Sequence, residues 1–362
     1  MRFLRTTADS YHSMIGVGGV GTGCLFALEG NHTLGRNESR PAQLLDVRDY
    51  CKLHIVSHYV ARLLGAGHGE KAFRIVPIAK VGDDSAGQSL IHQMREVGID
   101  TTFVTQVPGK PTLSSVCFQY PDGSGGNLTT SNSAAAELCE QELDAASQWL
   151  RNDGQGAIAV AVPEVPLGAR RYLLSLATRA GGFRVASFVA AEIPSALQNG
   201  MFGMLDLAAL NETEATEFVG HPFSESAREA FVSACLGRIT DCFPGLRLVV
   251  SAGKLGAYGF ERGAWSFCAA PAVRAASTAG AGDALLAGVI SSLAAGAPFI
   301  QSAPRNSKTI STALDFGVLL ASYTVTSPHT IHPNASLDTL IPFAQDLGLS
   351  FAPEFARMFA EG

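Results

Sequence analysis

The chain has 362 residues, 47% hydrophobic and 16% charged, with a formal net charge of −6, which suits one large α/β domain with an appendage, or two domains, around a sizeable core. An acidic balance gives no general attraction to nucleic acid or to an anionic membrane. The segment up to Met14 has no apolar signal stretch, and no run approaches the roughly 18 apolar residues of a membrane span.

In chain order, Gly16, Gly18 and Gly21 have the spacing of a dinucleotide fingerprint, with Asp46 as a ribose acid. A true fingerprint passes directly into a helix, and none is predicted here. Residues 19–50 are rich in Gly, Asn, Arg and Glu, the composition of a lid or a substrate-contacting flap. From about residue 72 short β-rich runs alternate with helical patterns. Strands are predicted over 73–81, 101–106, 113–120, 157–162, 184–189, 205–210 and 246–251, with a hairpin over 257–260 and 265–269. Helices are predicted over 84–97, 140–151, 169–179, 193–199, 222–239, 283–295 and 309–326. Pro121-Asp122-Gly123 is a turn signal. Such alternation implies a mainly parallel sheet covered on both faces. Ligands of these sheets bind beyond the strands' C-terminal ends, which points to Asn211 and to residues 251–254. Seven scattered cysteines without a Cys-x-x-Cys predict reduced thiols in a cytoplasmic protein.

Three constellations carry chemistry. Asn211-Glu212-Thr213-Glu214 follows a strand and opens a helix. It reads either as a capping box or as a place where Glu214 faces the water shell of Mg²⁺. Residues 249–257 run from a buried strand into a turn with Gly253, Lys254 and Gly256; Leu255 after Lys254 excludes a P-loop. The third is Ser277-Thr278-Ala279-Gly280-Ala281-Gly282-Asp283 ahead of an apolar helix. Small residues let the backbone aim N–H groups at one point, and the helix dipole favours a phosphate there. Asp283 beside such a site either caps the helix or takes the proton of an attacking hydroxyl.

In order and spacing these pieces resemble the PfkB (ribokinase-like) family of carbohydrate and nucleoside kinases. So does Gly82-Asp83-Asp84-Ser85-Ala86-Gly87 followed by Gly98-Ile99-Asp100, and the resemblance spans about residues 72–330. It implies a three-layer α/β/α sandwich, one domain over 1–362, with a small β-lid from about 20–48 and 101–130. It also implies an ATP-dependent phosphotransferase acting on a hydroxyl of a sugar, nucleoside or small polyol. Asp283 would be the base, and the N–H groups of Gly280, Ala281 and Gly282 the anion hole. Asn211 and Glu214 would organise Mg²⁺, Glu214 through water. Gly253, Lys254, Gly256, Thr278 and the region near Ser327 would face ATP. A monovalent cation and a homodimer joined through the lids are compatible with the family.

The sequence departs from the family on the acceptor side. The acid expected after the first strand falls at or near Gly23, the Gly-Gly-x-x-x-Asn stretch is missing from residues 48–58, and Ser277 replaces an acid. On a helix Asp49 and Lys52 would be i, i+3 neighbours and His54 and His58 i, i+4 neighbours. Arg48, Lys52 and His54, with Asn37 and Arg40 from the flap, are candidate contacts for an unusual, anionic acceptor; the alternative is a solvated helix face. A His54–His58 metal pair has no evident third ligand. Two other functions stay open: a non-catalytic sensor on the same fold, and a dinucleotide-dependent oxidoreductase.

Overall fold

The computed structural model describes residues 2–6, 11–68, 72–122, 125–301 and 308–361; Gly123 of the predicted turn lies outside them. The chain begins with β1 (Arg2–Leu4), β2 (Ser13–Val17), β3 (Gly21–Leu28), β4 (Ala42–Tyr50), α1 (Lys52–Leu64), β5 (Arg74–Gly82) and α2 (Ser85–Glu96). Next come β6 (Val104–Val107), β7 (Leu113–Gln119), β8 (Gly125–Thr129), α3 (Glu140–Asp153), β9 (Ala157–Ala161), α4 (Leu167–Ala180), β10 (Phe183–Ser187) and α5 (Ile193–Gln198). The second half contains β11 (Leu207–Asn211), α6 (Glu212–Val219), α7 (Arg228–Cys242), β12 (Arg247–Ser251), β13 (Gly256–Glu261), β14 (Ala264–Ala269) and α8 (Ala281–Ala294). It closes with β15 (Thr309–Ile310), α9 (Ala313–Thr324), α10 (Leu337–Asp346), β16 (Ser350–Phe351), α11 (Pro353–Ala356) and β17 (Phe359–Glu361).

Nine strands form one sheet in the order β14-β13-β12-β11-β10-β9-β2-β5-β6. The strands from β12 to β6 are parallel, and β13 runs antiparallel to both its neighbours, β12 and β14. Apolar runs such as Ala157-Ile158-Ala159-Val160-Ala161 suit these positions because helices cover both faces. Alternate residues serve opposite layers. Met14, Ile158, Val160 and Val249 pack with α1, α2, α8 and α9, whereas Ile15, Ala159, Leu248 and Val250 pack with α3, α4, α6 and α7. The three-layer sandwich expected from the sequence is therefore formed.

Residues 19–50 are more ordered than a flap. β3 and β4 join β7 and β8 in a separate four-stranded sheet, order β4-β3-β7-β8. β6 lies inside the second predicted lid segment but extends the large sheet, pairing Ala79 with Val104. The glycines at 16, 18 and 21 lead into β3 and not into a helix, so the dinucleotide fingerprint is not built. The β1–β17 pair and α10 were not predicted; the two strands have only 3 residues each, too few for a period to show. No helix among the described residues is long and apolar enough to cross a membrane.

Helices α8 and α9 position the site. A Cβ on Gly288 would lie 2.8 Å from Gly317 Cα, and one on Gly317 would lie 2.8 Å from the Leu285 carbonyl oxygen. The two helices thus touch backbone to backbone, and no larger residue fits at the crossing. Gly288→Val should lower stability by about 1–3 kcal/mol, the usual range for overpacking. Urea denaturation followed by circular dichroism measures this, and an unchanged midpoint would contradict the close contact.

Candidate active site

Helix α8 starts two residues earlier than its apolar run suggests. Gly280 is the N-cap at φ 78°, and Asp283 lies in the first turn without making a side-chain cap. A Cβ on Gly280 would meet the Thr330 carbonyl oxygen at 2.3 Å, so both the φ angle and the space demand glycine. The first-turn N–H groups of Gly282 and Asp283 have no intrahelical acceptor. Ala281 differs from expectation, because its N–H donates to the Thr278 carbonyl at 3.3 Å.

Asp283 lines a cavity of about 250 Å³ with Lys52, Ser187, Phe188, Asn211, Glu214 and Gly282. Its side chain is 12% exposed, and Oδ1 lies 3.6 Å from Lys52 Nζ. Burial raises the carboxyl above the usual aspartate value, Lys52 pulls it back down, and Asp49 adds a smaller upward push. The ammonium in turn is held well above the ordinary lysine value, chiefly by Asp283 and further by Glu164 and Glu214. Lys52 opens α1 directly after the N-cap Cys51. Asp49 is therefore not on the helix but on β4, opposite Gly23.

Glu164 escaped the sequence reading. It follows β9 at φ 78°, a left-handed backbone unusual for a side-chain-bearing residue. Oε2 accepts the Lys52 N–H at 2.9 Å, and burial pushes its carboxyl up to about 7 against the pull of Lys52. The available signal was an acid just past the C-terminal end of a parallel strand.

Asn211 and Glu214 form the capping box and still reach the cavity beside Asp283. Asn211 Oδ1 accepts the Glu214 N–H at 2.9 Å, and Glu214 Oε2 accepts the Asn211 N–H at 2.7 Å, completing a capping box. Both side chains nevertheless line the Asp283 cavity, and burial raises the Glu214 carboxyl. With part of each donor set already spent on the cap, the pair suits a hydrated Mg²⁺ held through water better than direct ligation.

A second cavity of about 550 Å³ is walled by Gly253, Lys254, Gly256, Thr278, Ala321, Ser322 and Val325. Gly256 sits at φ 124°, where a Cβ would strike the Cys268 carbonyl oxygen at 2.0 Å. Asn211, Ser251, Gly282 and Leu285 line both cavities, so the two meet at the start of α8. Ser327 lines neither one; it is buried, and its Oγ accepts the His329 N–H at 3.1 Å. Ser322 and Val325 take the place expected for it.

The remaining candidates lie elsewhere. His54 is 1% exposed, packed between the rings of Tyr50 and His58, and burial pushes it down to about 3, so it is a neutral core residue. Neither a solvated face nor an acceptor contact describes it. Among the described residues no cluster of three or more His, Cys, Asp and Glu side chains could hold a metal ion, the His54–His58 pair included. Arg48 donates its N–H to His329 Nδ1 at 3.0 Å and lines a separate cavity with Asp46, His58 and Gln93. In the β3–β4 connection, Arg40 is tied to Glu38 and to the His32 carbonyl, and Asn37 is exposed at φ 62°. Neither lines either cavity.

Solved structures share this architecture. Ribokinase from Giardia lamblia superposes with a TM-score of 0.72 at 16% identity, covering 93% of this chain and 98% of its own. Ribokinase from Cryptococcus neoformans var. grubii serotype A, in complex with ADP, gives 0.72 at 17% identity, covering 91% of this chain and 99% of its own. Arabidopsis thaliana ribokinase complexed with ribose and ATP gives 0.67 at 18%, covering 93% and 98%. No curated protein matches the sequence. The model of the pfkB family carbohydrate kinases matches residues 56–337, so the chain belongs to that family.

Proposed function

We propose that the protein transfers the γ-phosphoryl group of ATP to a hydroxyl of a small polyol, with Asp283 as general base. The observation that carries this reading is the shared wall between the two cavities, because the acid and the open helix end stand where they meet. The larger, mostly apolar cavity suits a nucleotide base and ribose, with Gly253, Lys254, Gly256 and Thr278 along the phosphates. The smaller one suits a single sugar-sized acceptor beside Asp283. Two ribokinases of the same fold, one complexed with ADP and one with ribose and ATP, support this choice of donor and acceptor class.

The chemistry follows from placement. Asp283 accepts the proton of the hydroxyl as its oxygen bonds to phosphorus and the bond from phosphorus to the β-phosphate oxygen breaks. Negative charge gathering on the transferred group faces the free N–H groups of the α8 N-terminus, which need no reorganisation to receive it. Lys52 keeps Asp283 ionised between turnovers. Mg²⁺ bound through water near Glu214 and Asn211 would neutralise phosphate charge. The four-stranded sheet would serve as a lid that keeps water from the acceptor, and its exposed Leu44, Val116 and Leu128 offer a surface for pairing with a second copy.

Asp283→Asn should lower kcat by at least about a hundredfold with neutral sugars as acceptors; equal turnover by both proteins would sink the enzyme reading. The pH profile tests the ion pair separately. Asp283 works only when ionised, so the acid limb of kcat should lie above the ordinary aspartate range. Its neighbours Glu164, Glu214 and Asp49 are acids, so the downward pull comes from Lys52. Lys52→Met should therefore move that limb to still higher pH, and a limb that stays in place or falls would contradict the pairing.

A further inference from the structure

A third cavity, of about 440 Å³, shares no lining residue with the two at the start of α8. It lies between the small sheet and the body. Asp46, Arg48 and Tyr50 come from β4, His58 from α1, Glu96 from α2, and His329 from the segment after α9. Side chains alternate along a strand, so the three β4 residues share the face opposite that of Asp49.

Two acids and one arginine stand on its walls. Asp46 and Arg48 are exposed, and neither enters an ion pair among the described residues. Two residues apart on one strand, their backbones are separated by about 7 Å. Glu96 has His92 Nε2 at 3.3 Å. His329 Nδ1 accepts the Arg48 N–H at 3.0 Å, which leaves Nε2 as the donor of that ring. Burial pushes His58 down to about 4, so it adds no charge at neutral pH. The remaining wall is less polar, with Val97, Ile331 and the Tyr50 ring, whose hydroxyl donates to Gln93 Oε1 at 2.7 Å.

This pattern selects a ligand by its charges. A purely anionic molecule would meet Asp46 and Glu96, and a purely cationic one would meet Arg48. A molecule with both charges a short distance apart meets a partner for each: a carboxylate takes the guanidinium fork, and an ammonium donates to the acids. The apolar wall beside these groups suits a hydrocarbon side chain. We propose that this cavity is a second small-molecule site and takes a free α-amino acid with an apolar side chain, its carboxylate on Arg48 and His329 Nε2 and its ammonium on Asp46 and Glu96. The inference goes beyond the phosphotransferase reading and does not depend on it. Such an occupant bonds at once to the small sheet, through Asp46 and Arg48, and to the body, through Glu96 and His329.

Calorimetric titration of the full chain tests the proposal, using L-leucine and L-phenylalanine, their amides, which lack the carboxylate, and their N-acetyl derivatives, which lack the ammonium. At least one of the two amino acids should bind saturably, with its amide and its N-acetyl derivative at least about tenfold weaker, the worth of a hydrogen bond to a charged group. Arg48→Met and Asp46→Asn should each weaken the amino acid about tenfold for the same reason, and Asp283→Asn should bind it as the parent does. The comparison of derivatives needs no variant, so it stands if a substitution prevents folding. Absence of saturable binding, an amide or N-acetyl derivative bound as tightly as the amino acid, or unchanged affinity in either folded β4 variant would overturn the proposal. Loss of binding in Asp283→Asn would place the ligand in the other cavity and overturn it as well.

Discussion

A carboxylate buried at the start of a helix resists ionisation because it leaves water behind, and full burial can raise such a group by about 3–5 pKa units. Asp283 sits there with Lys52 Nζ 3.6 Å away. Opposite charges this close attract more strongly away from bulk water, so the ammonium works against the burial penalty. The balance leaves the carboxyl above its ordinary value, in the direction that suits the base proposed here. The rest of the site is arranged around keeping this pair in place.

Lys52 depends on the β4–α1 junction, where Glu164 accepts its backbone N–H. Asp283 depends on α8, whose close crossing with α9 leaves no room for side chains at Gly288 and Gly317. A further segment after α9 ties these parts together. Thr330 stands against Gly280, donates its N–H to the Arg48 carbonyl at 3.2 Å, and places its hydroxyl 2.9 Å from the Tyr50 N–H. His332 donates its N–H to the Tyr59 hydroxyl on α1 at 2.8 Å. The small sheet, the turn at the start of α8, and α1 are thereby held against one short stretch of backbone.

Much of this was legible because the turns where the two cavities meet are written in local sequence. Gly280 to Asp283, Asn211 to Glu214 and Gly253 to Gly256 each act through backbone geometry at one strand or helix end, so a few consecutive residues specify them. The surroundings of Lys52 are assembled across strands. Asp49 reaches its place only through the pairing of β4 with β3, and Glu164 meets Lys52 across 112 residues of chain. No periodicity reveals such meetings. His54 failed for a related reason: a polar residue on an amphipathic pattern reads as exposed, yet α1 is buried on nearly every side by α8, β5 and the Tyr50 ring. Ser327 lies off the wall of the larger cavity because α9 ends at Thr324 and Val325 is the last residue of this stretch to line it.

A crystal structure with a non-hydrolysable ATP analogue and a neutral sugar bound together is the most direct measurement of the central claim. The account predicts a sugar hydroxyl within hydrogen-bond reach of an Asp283 carboxylate oxygen, the terminal phosphate over the first turn of α8, and Lys52 still beside the acid. A sugar bound away from Asp283, or a terminal phosphate remote from that turn, would contradict it.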